Sequence, residues 1–161
     1  MSGVNEIQFR VRYAETDQMG VVYHANYLVW MEMGRVELCR AQGVRYRDLE
    51  QQEGVLLAVA AAQCRYHAPA RYDDEVIVRT TVKRATSRLL EFEYEITFAD
   101  DGTKLVTGLT THVFCNVRRR TRPETVRMMA AAINVDAAGR SHPPRPNRPA
   151  APREEPLHHV L

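Results

Sequence analysis

The chain has 161 residues and a hydrophobic content of 45%, enough for one domain with its own core. Its 22 basic and 20 acidic residues nearly cancel, so a net charge of +2 gives no electrostatic footprint for nucleic acid. Cys39, Cys64 and Cys115 are odd in number and widely spaced, Met1–Gln8 lacks a basic-then-apolar leader, and no run reaches about 18 apolar residues, which together predict a cytoplasmic protein whose cysteines are small core residues.

In chain order, Ile7, Phe9 and Val11 alternate with Gln8, Arg10 and Arg12, so residues 6–13 read as a half-buried strand. Glu15-Thr-Asp-Gln-Met-Gly20 interrupts it with turn-formers. A helix over about 25–42 follows, carrying Tyr27, Leu28, Trp30, Met31 and Met33. Its apolar residues occupy more than one face, which predicts a buried helix, and Gly43 supplies the stop. Tyr46–Gln52 has room for one or two further helical turns. Residues 54–67 read as a long strand, broken by Ala68-Pro69-Ala70. Residues 75–84 alternate, with Val76, Val78, Thr80 and Val82 on one side. In residues 89–99, Leu90, Phe92, Tyr94, Ile96 and Phe98 oppose Glu91, Glu93, Glu95 and Thr97. Asp100-Asp-Gly102 is a hairpin turn leading into a last strand over 104–117. Beyond it come the basic run Arg118–Arg120 and a short helix over Glu124–Ile133. From Asp136 a Pro/Arg-rich tail holds six of the eight prolines, and it is expected to be disordered or extended. The pattern defines an α+β domain over 1–135, one long helix against an antiparallel sheet of about five strands, with a tail over 136–161.

The chemistry-bearing residues crowd into residues 12–27. Asp17 stands three residues before Gly20, and His24 and Asn26 lie at the entrance to the helix. A helix N-terminus offers unpaired N–H groups and a positive dipole end. A carboxylate beside such donors suits attack on an activated carbonyl, the donors holding the developing oxyanion. The bland readings stand beside this one. Asp is common as an N-cap or turn residue, His24 could be a structural histidine, and Asn26 could hold the loop. Gly20 permits positive φ. Glu32 and Arg35, at i, i+3 spacing, read as an ion pair. His67 and His112 fall in strands with no second ligand at metal-like spacing, and His158-His159 is too little for zinc.

At Tyr13-Ala-Glu-Thr-Asp17-x-x-Gly20-Val-Val-Tyr-His24-Ala-Asn-Tyr27 the sequence resembles the hotdog-fold acyl-CoA thioesterases, in particular the YbgC type related to 4-hydroxybenzoyl-CoA thioesterase. Tyr66-His-Ala-Pro-Ala-Arg-Tyr-Asp-Asp74 is similar to that family's strand-turn-strand segment. The resemblance implies a sheet wrapped around one central helix, and a homodimer joined edge to edge, often paired again into tetramers. It implies active sites at the dimer interface and no metal or organic cofactor. On this likeness Asp17 is the catalytic aspartate, as nucleophile or general base, and His24 is a second catalytic candidate. Tyr13, Gly20, Val21, Val22, Tyr23 and Asn26 form the substrate-binding turn, and the amides of Val22–His24 are the expected oxyanion donors. The substrate implied is a short- to medium-chain aliphatic acyl-CoA. Its phosphates would be met by basic residues such as Arg65, Arg84 and Arg88. The alternatives are a non-catalytic acyl-CoA binding module and a hotdog acyl hydratase or dehydratase. Relatives of the YbgC type also suggest peripheral association with cell-envelope machinery.

Overall fold

Alternation of apolar and polar residues builds most of the architecture. The computed structural model describes residues 4–48, 51, 54–86 and 88–116. The strands are β1 (Val4–Arg10), β2 (Val55–Tyr66), β3 (Glu75–Ala85), β4 (Leu89–Phe98) and β5 (Lys104–Asn116). Between β1 and β2 lie the long helix α1 (Asn26–Ala41) and the short α2 (Tyr46–Asp48). The strands form one antiparallel sheet in the order β1-β3-β4-β5-β2. β4 shows how the sequence produces this: Leu90, Phe92, Tyr94 and Ile96 are buried, while Glu93 between them is exposed. The Pro/Arg-rich tail and the helix expected over Glu124–Ile133 lie outside the described residues.

The first strand is shorter than its alternation predicts. It ends at Arg10 because Arg12 N–H is captured by the Glu15 carboxylate at 2.8 Å, which closes a single 3-10 turn over Tyr13–Glu15. α1 stops where expected. Gly43 has φ of 77° and Val44 N–H returns to the Cys39 carbonyl at 2.8 Å, a left-handed helix exit that glycine tolerates without a Cβ penalty. Of the cysteines, Cys39 is buried and Cys64 half-buried, but Cys115 is exposed near the end of β5, so it is not the core residue expected.

α1 lies across one face of the sheet, against β1 and β3. Its buried residues Tyr27, Trp30, Met31, Gly34, Leu38 and Cys39 make one helical stripe. The helix is not buried all round, as its composition predicted: Leu28, Val29 and Met33 remain exposed, because the sheet of a single chain covers only one side. Two glycines set the approach. Gly108 of β5 makes room for Met31, and a Cβ on Gly34 would meet Thr80 Oγ1 and lie 3.1 Å from Val78 Cγ1. The opposite face of the sheet is a charge ladder. Arg79 of β3 bridges Glu6 of β1 at 2.7 Å and Glu95 of β4 at 3.1 Å, and Lys104 of β5 reaches Glu95 at 2.7 Å.

Gly34→Ala is expected to destabilise the fold by about 1–3 kcal/mol through overpacking. A Thr80→Ala change in the same chain should recover part of that loss, because the clash is with the Thr80 side chain. Chemical denaturation of the single and double variants measures this; two independent, additive losses would refute the contact.

Candidate active site

The segment between β1 and α1 folds as a small hairpin carrying Asp17 at its tip. Thr16 and Val22 bridge antiparallel. Asp17 N–H donates to the Val21 carbonyl at 2.8 Å, and Gly20 N–H donates to the Asp17 carbonyl at 2.9 Å. Gly20 has φ of 73°, the conformation in which this tight turn closes without a strained side chain. Asp17 Oδ1 accepts the Met19 N–H at 2.8 Å, an Asx-turn that orients the carboxylate.

Glu15 anchors the base of the hairpin, and it is a residue that sequence reasoning passed over as a turn-former. It is only 5% exposed. Its carboxylate accepts hydrogen bonds from Arg12 N–H at 2.8 Å, the Arg12 guanidinium at 2.8 Å and Trp30 Nε1 at 3.0 Å. Its carbonyl accepts Tyr23 N–H at 2.9 Å and Asn26 Nδ2 at 2.6 Å. Burial alone would push the Glu15 carboxyl up. The bonds from Arg12 and Trp30 outweigh it and hold the group below the ordinary carboxylate range.

Asp17, Met19, Val21, Val22 and His24 form one wall of an open cleft of about 320 Å³. Tyr27, Tyr66, His67, Ala68 and Pro69 form the other. The second wall is held by Tyr27, whose Oη accepts Ala70 N–H at 3.3 Å, and by Tyr66, whose hydroxyl donates to the His24 carbonyl at 3.1 Å. His67 is exposed and its Nε2 meets Thr107 Oγ1 at 3.1 Å. The structure thus brings Asp17, His24, Val21 and Val22 together and adds Tyr66 and His67 from the end of β2, which the sequence marked only as part of a strand-turn-strand segment and not as lining the same cleft.

Other expected site residues fall elsewhere. Tyr13 is 77% exposed and packs edge-on against Tyr72, with ring centroids 5.7 Å apart. Tyr23 and Asn26 serve the Glu15 carbonyl, and Gly20 serves the turn. Arg65 precedes the cleft residue Tyr66 in β2 and so alternates to the opposite face of the sheet. Arg84 and Arg88 lie at the end of β3 and the start of β4, nine residues along the strand from Glu75, which puts them roughly 30 Å from the Asp17 end of the sheet of the same chain. The oxyanion donors also need correction. Val22 N–H is spent on the Ala70 carbonyl at 2.8 Å and Tyr23 N–H on Glu15. The N–H groups of His24 and Ala25, at the entrance to α1, find no acceptor among the described residues.

A larger hollow of about 690 Å³ opens near the C-terminal end of α1, bounded by Arg35, Arg40, Tyr46 and Leu57. Glu32 and Arg35 form the expected ion pair at 3.5 Å on its rim. Beneath α1 runs a buried polar chain: Tyr94 Oη to Thr110 Oγ1 and Thr110 Oγ1 to His112 Nε2, each at 2.8 Å. His112 Nδ1 has no partner among the described residues. Among the described residues no group of three or more His, Cys, Asp and Glu side chains could hold a metal ion, and no helix is long and apolar enough to cross a membrane.

The family model for the thioesterase-like superfamily matches residues 11–148, and the chain belongs to that family. Its architecture is the hotdog fold, a five-stranded antiparallel sheet packed on one long helix. A putative acyl-CoA thioesterase, YneP of Bacillus subtilis, is 48% identical over 80 residues, 50% of this chain and 57% of that protein. The acyl-CoA thioester hydrolase YbgC of Escherichia coli is 35% identical over 92 residues, 57% of this chain and 68% of that one. The match thus spans little more than half the length of YneP. Among solved structures, the hypothetical protein TT1821 of Thermus thermophilus superposes with a TM-score of 0.74 at 34% identity, covering 82% of this chain and 98% of that one.

The buried histidine makes stability pH-dependent. Burial, and secondly the Arg35 guanidinium, push the His112 imidazole down to about 4 from an ordinary 6.5. Between those values the unfolded chain binds a proton that the folded chain excludes. Stability is therefore complete above pH 6.5 and falls as pH drops toward 4, by about 3 kcal/mol in total. Thermal unfolding from pH 7 to 4.5 should show this slope, and His112→Gln should flatten it; an equal slope in both proteins would contradict the assignment to His112.

Proposed function

We propose that the protein is an acyl-CoA thioesterase, cleaving the thioester to free acid and coenzyme A. One observation carries the reading: a carboxylate oriented by an Asx-turn, Asp17, shares a mainly apolar cleft with His24, whose N–H, like that of Ala25, is unclaimed among the described residues at the N-terminus of α1. Thioester cleavage needs a group that attacks or activates water, and donors aimed at the oxygen that gains charge. The His24 and Ala25 amides, reinforced by the helix dipole, fill the second role. Asp17 fills the first in either of two ways. As nucleophile it forms a mixed anhydride and expels the thiolate of coenzyme A, and water then releases the acid. As general base it takes a proton from the water that attacks. The thiolate is a good leaving group, so neither route needs a strong acid, and neither needs a metal or organic cofactor. The cleft's Met19, Val21, Val22, Ala68 and Pro69 favour a short- to medium-chain aliphatic acyl group.

The active unit is a homodimer formed through β2. Among the described residues this strand pairs with β5 on one side only, and its sequence Val-Leu-Leu-Ala-Val-Ala-Ala-Ala-Gln-Cys-Arg-Tyr carries a single charge. A long apolar edge of this kind demands a partner. Antiparallel pairing of β2 with its own copy runs the Val55 end of one chain beside the Tyr66 end of the other. That pairing closes the open cleft with the neighbouring protomer. It also brings the sheet end bearing Arg84 and Arg88 of the partner subunit toward this cleft, which offers a role for those arginines in holding phosphates. The exposed Leu28, Val29 and Met33 on α1 then provide an apolar face for pairing two dimers.

A thiol-release screen across acyl-CoA chain lengths, with acyl carrier protein thioesters and an enoyl-CoA hydration assay alongside, tests the activity. Asp17→Asn is expected to lower turnover about 100-fold or more while leaving the fold intact. Unchanged turnover in a well-folded variant would remove Asp17 from the mechanism, and hydration without thiol release would replace the reaction. Sedimentation should find a dimer or tetramer. Val59→Lys, on the open edge of β2, should shift it to monomer and reduce thiol release with it.

A further inference from the structure

We propose that Glu15 is the positioning residue for Asp17, its carboxylate and carbonyl tying both strands of the Asp17 hairpin to α1. This inference rests on the thioesterase reading for its catalytic consequence but not for its geometry. Among the described residues Asp17 makes its own hydrogen bonds only within the hairpin, to Val21, Met19 and Gly20. Those bonds fix the shape of the turn, not its place against the helix N-terminus. The place is set two residues earlier. The Glu15 carboxylate is joined to Trp30, a fully buried residue of α1, and to Arg12 on the incoming chain. Its carbonyl is joined to Tyr23 on the returning strand and to Asn26 in the first turn of α1. One residue therefore connects the hairpin's two strands, the core, and the turn that presents the His24 and Ala25 amides. A carboxylate does this better than a neutral side chain of the same length. Four lone-pair sites accept three donors at once, whereas a glutamine in the same place turns one acceptor into a donor facing donors.

The consequence is a distance between Asp17 and the oxyanion donors that Glu15 holds constant. Displacement of a reacting group by about 1 Å can lower a rate roughly 100-fold. Glu15→Gln, assayed well below its unfolding temperature, is expected to lower kcat about 10- to 100-fold with KM within about 3-fold, since the apolar lining of the cleft is untouched. Amide exchange at Asp17, Gly20 and Tyr23 should accelerate in the same variant, while exchange in β3 and β4 stays as in the parent. Arg12→Met removes a single bond made by an exposed side chain, so it should shift both readouts in the same direction by less. It serves as the primary variant if Glu15→Gln fails to fold. Glu95→Gln, which weakens the two outer-face ion pairs to Arg79 and Lys104, controls for loss of a paired carboxylate and should change neither.

Unaltered loop exchange in Glu15→Gln overturns the proposal. So does faster loop exchange with unaltered kcat. If the parent protein releases no thiol from any acyl-CoA, the thioesterase reading fails by itself, and the exchange measurement still decides whether Glu15 holds the hairpin.

Discussion

The hydrogen bond from Trp30 Nε1 to the Glu15 carboxylate, at 3.0 Å, is where the core of this protein becomes its cleft. Trp30 is fully buried and packs edge-on against Phe9 and Tyr27, so its position is set by β1 and α1 together. An indole N–H in such surroundings must find an acceptor, because an orphaned buried donor costs about 1–3 kcal/mol. A buried carboxylate needs donors even more strongly. Each group answers the other's requirement, and the turn carrying Asp17 is held in place as a result. Tyr27 extends the same logic to the second wall, with its ring in the aromatic cluster and its hydroxyl on Ala70 N–H.

The two faces of the sheet are built to opposite specifications. One carries Val76, Val78, Leu90, Phe92 and Ile96 against α1. The other carries Glu6, Arg79, Glu95 and Lys104 in an ion-pair ladder that crosses four strands. Exposed ion pairs add little stability individually, about 0–1 kcal/mol each. Their larger effect is to keep that face wetted, while among the described residues exposed apolar side chains remain along β2 (Leu56, Val59), on the outer side of α1 (Leu28, Val29, Met33) and about the Asp17 hairpin (Tyr13, Met19, Tyr72).

Residues with a local signature were legible in the sequence. β3 and β4 follow from alternation, β5 from a run rich in Val and Thr, the turn at Asp100–Gly102 from its residue types, and the end of α1 from Gly43. Asp17 and His24 were legible because they crowd a helix entrance. Glu15 was not. It is one acid among turn-formers, and its decisive partner, Trp30, is fifteen residues on, a separation that no periodicity marks. The oxyanion donors required accounting for every N–H in the turn, and only the structure shows that Val22 and Tyr23 are already engaged. His67 was legible only as part of the Tyr66–Asp74 strand-turn-strand stretch, not as a site residue, and it joins the cleft because β2 ends there. The exposure of one side of α1 was equally invisible, since apolar residues signal burial without saying whether the same chain provides it.

The strand order also governs how the chain can assemble. β3, β4 and β5 are consecutive neighbours and can zip as a meander, whereas β1 must wait for β3, and β2 must wait for β5. Pairings between segments distant in sequence close slowly, because the loop entropy is lost before the contacts form. During synthesis from the N-terminus β2 therefore emerges with both of its edges bare, and it stays so until β5 has been made. The most apolar strand of the protein is thus left without its neighbour until the last of the five strands has been made. The time for which β2 is exposed to misassembly is set by the rate at which the ribosome moves from Tyr66 to Asn116, not by the strength of any native contact.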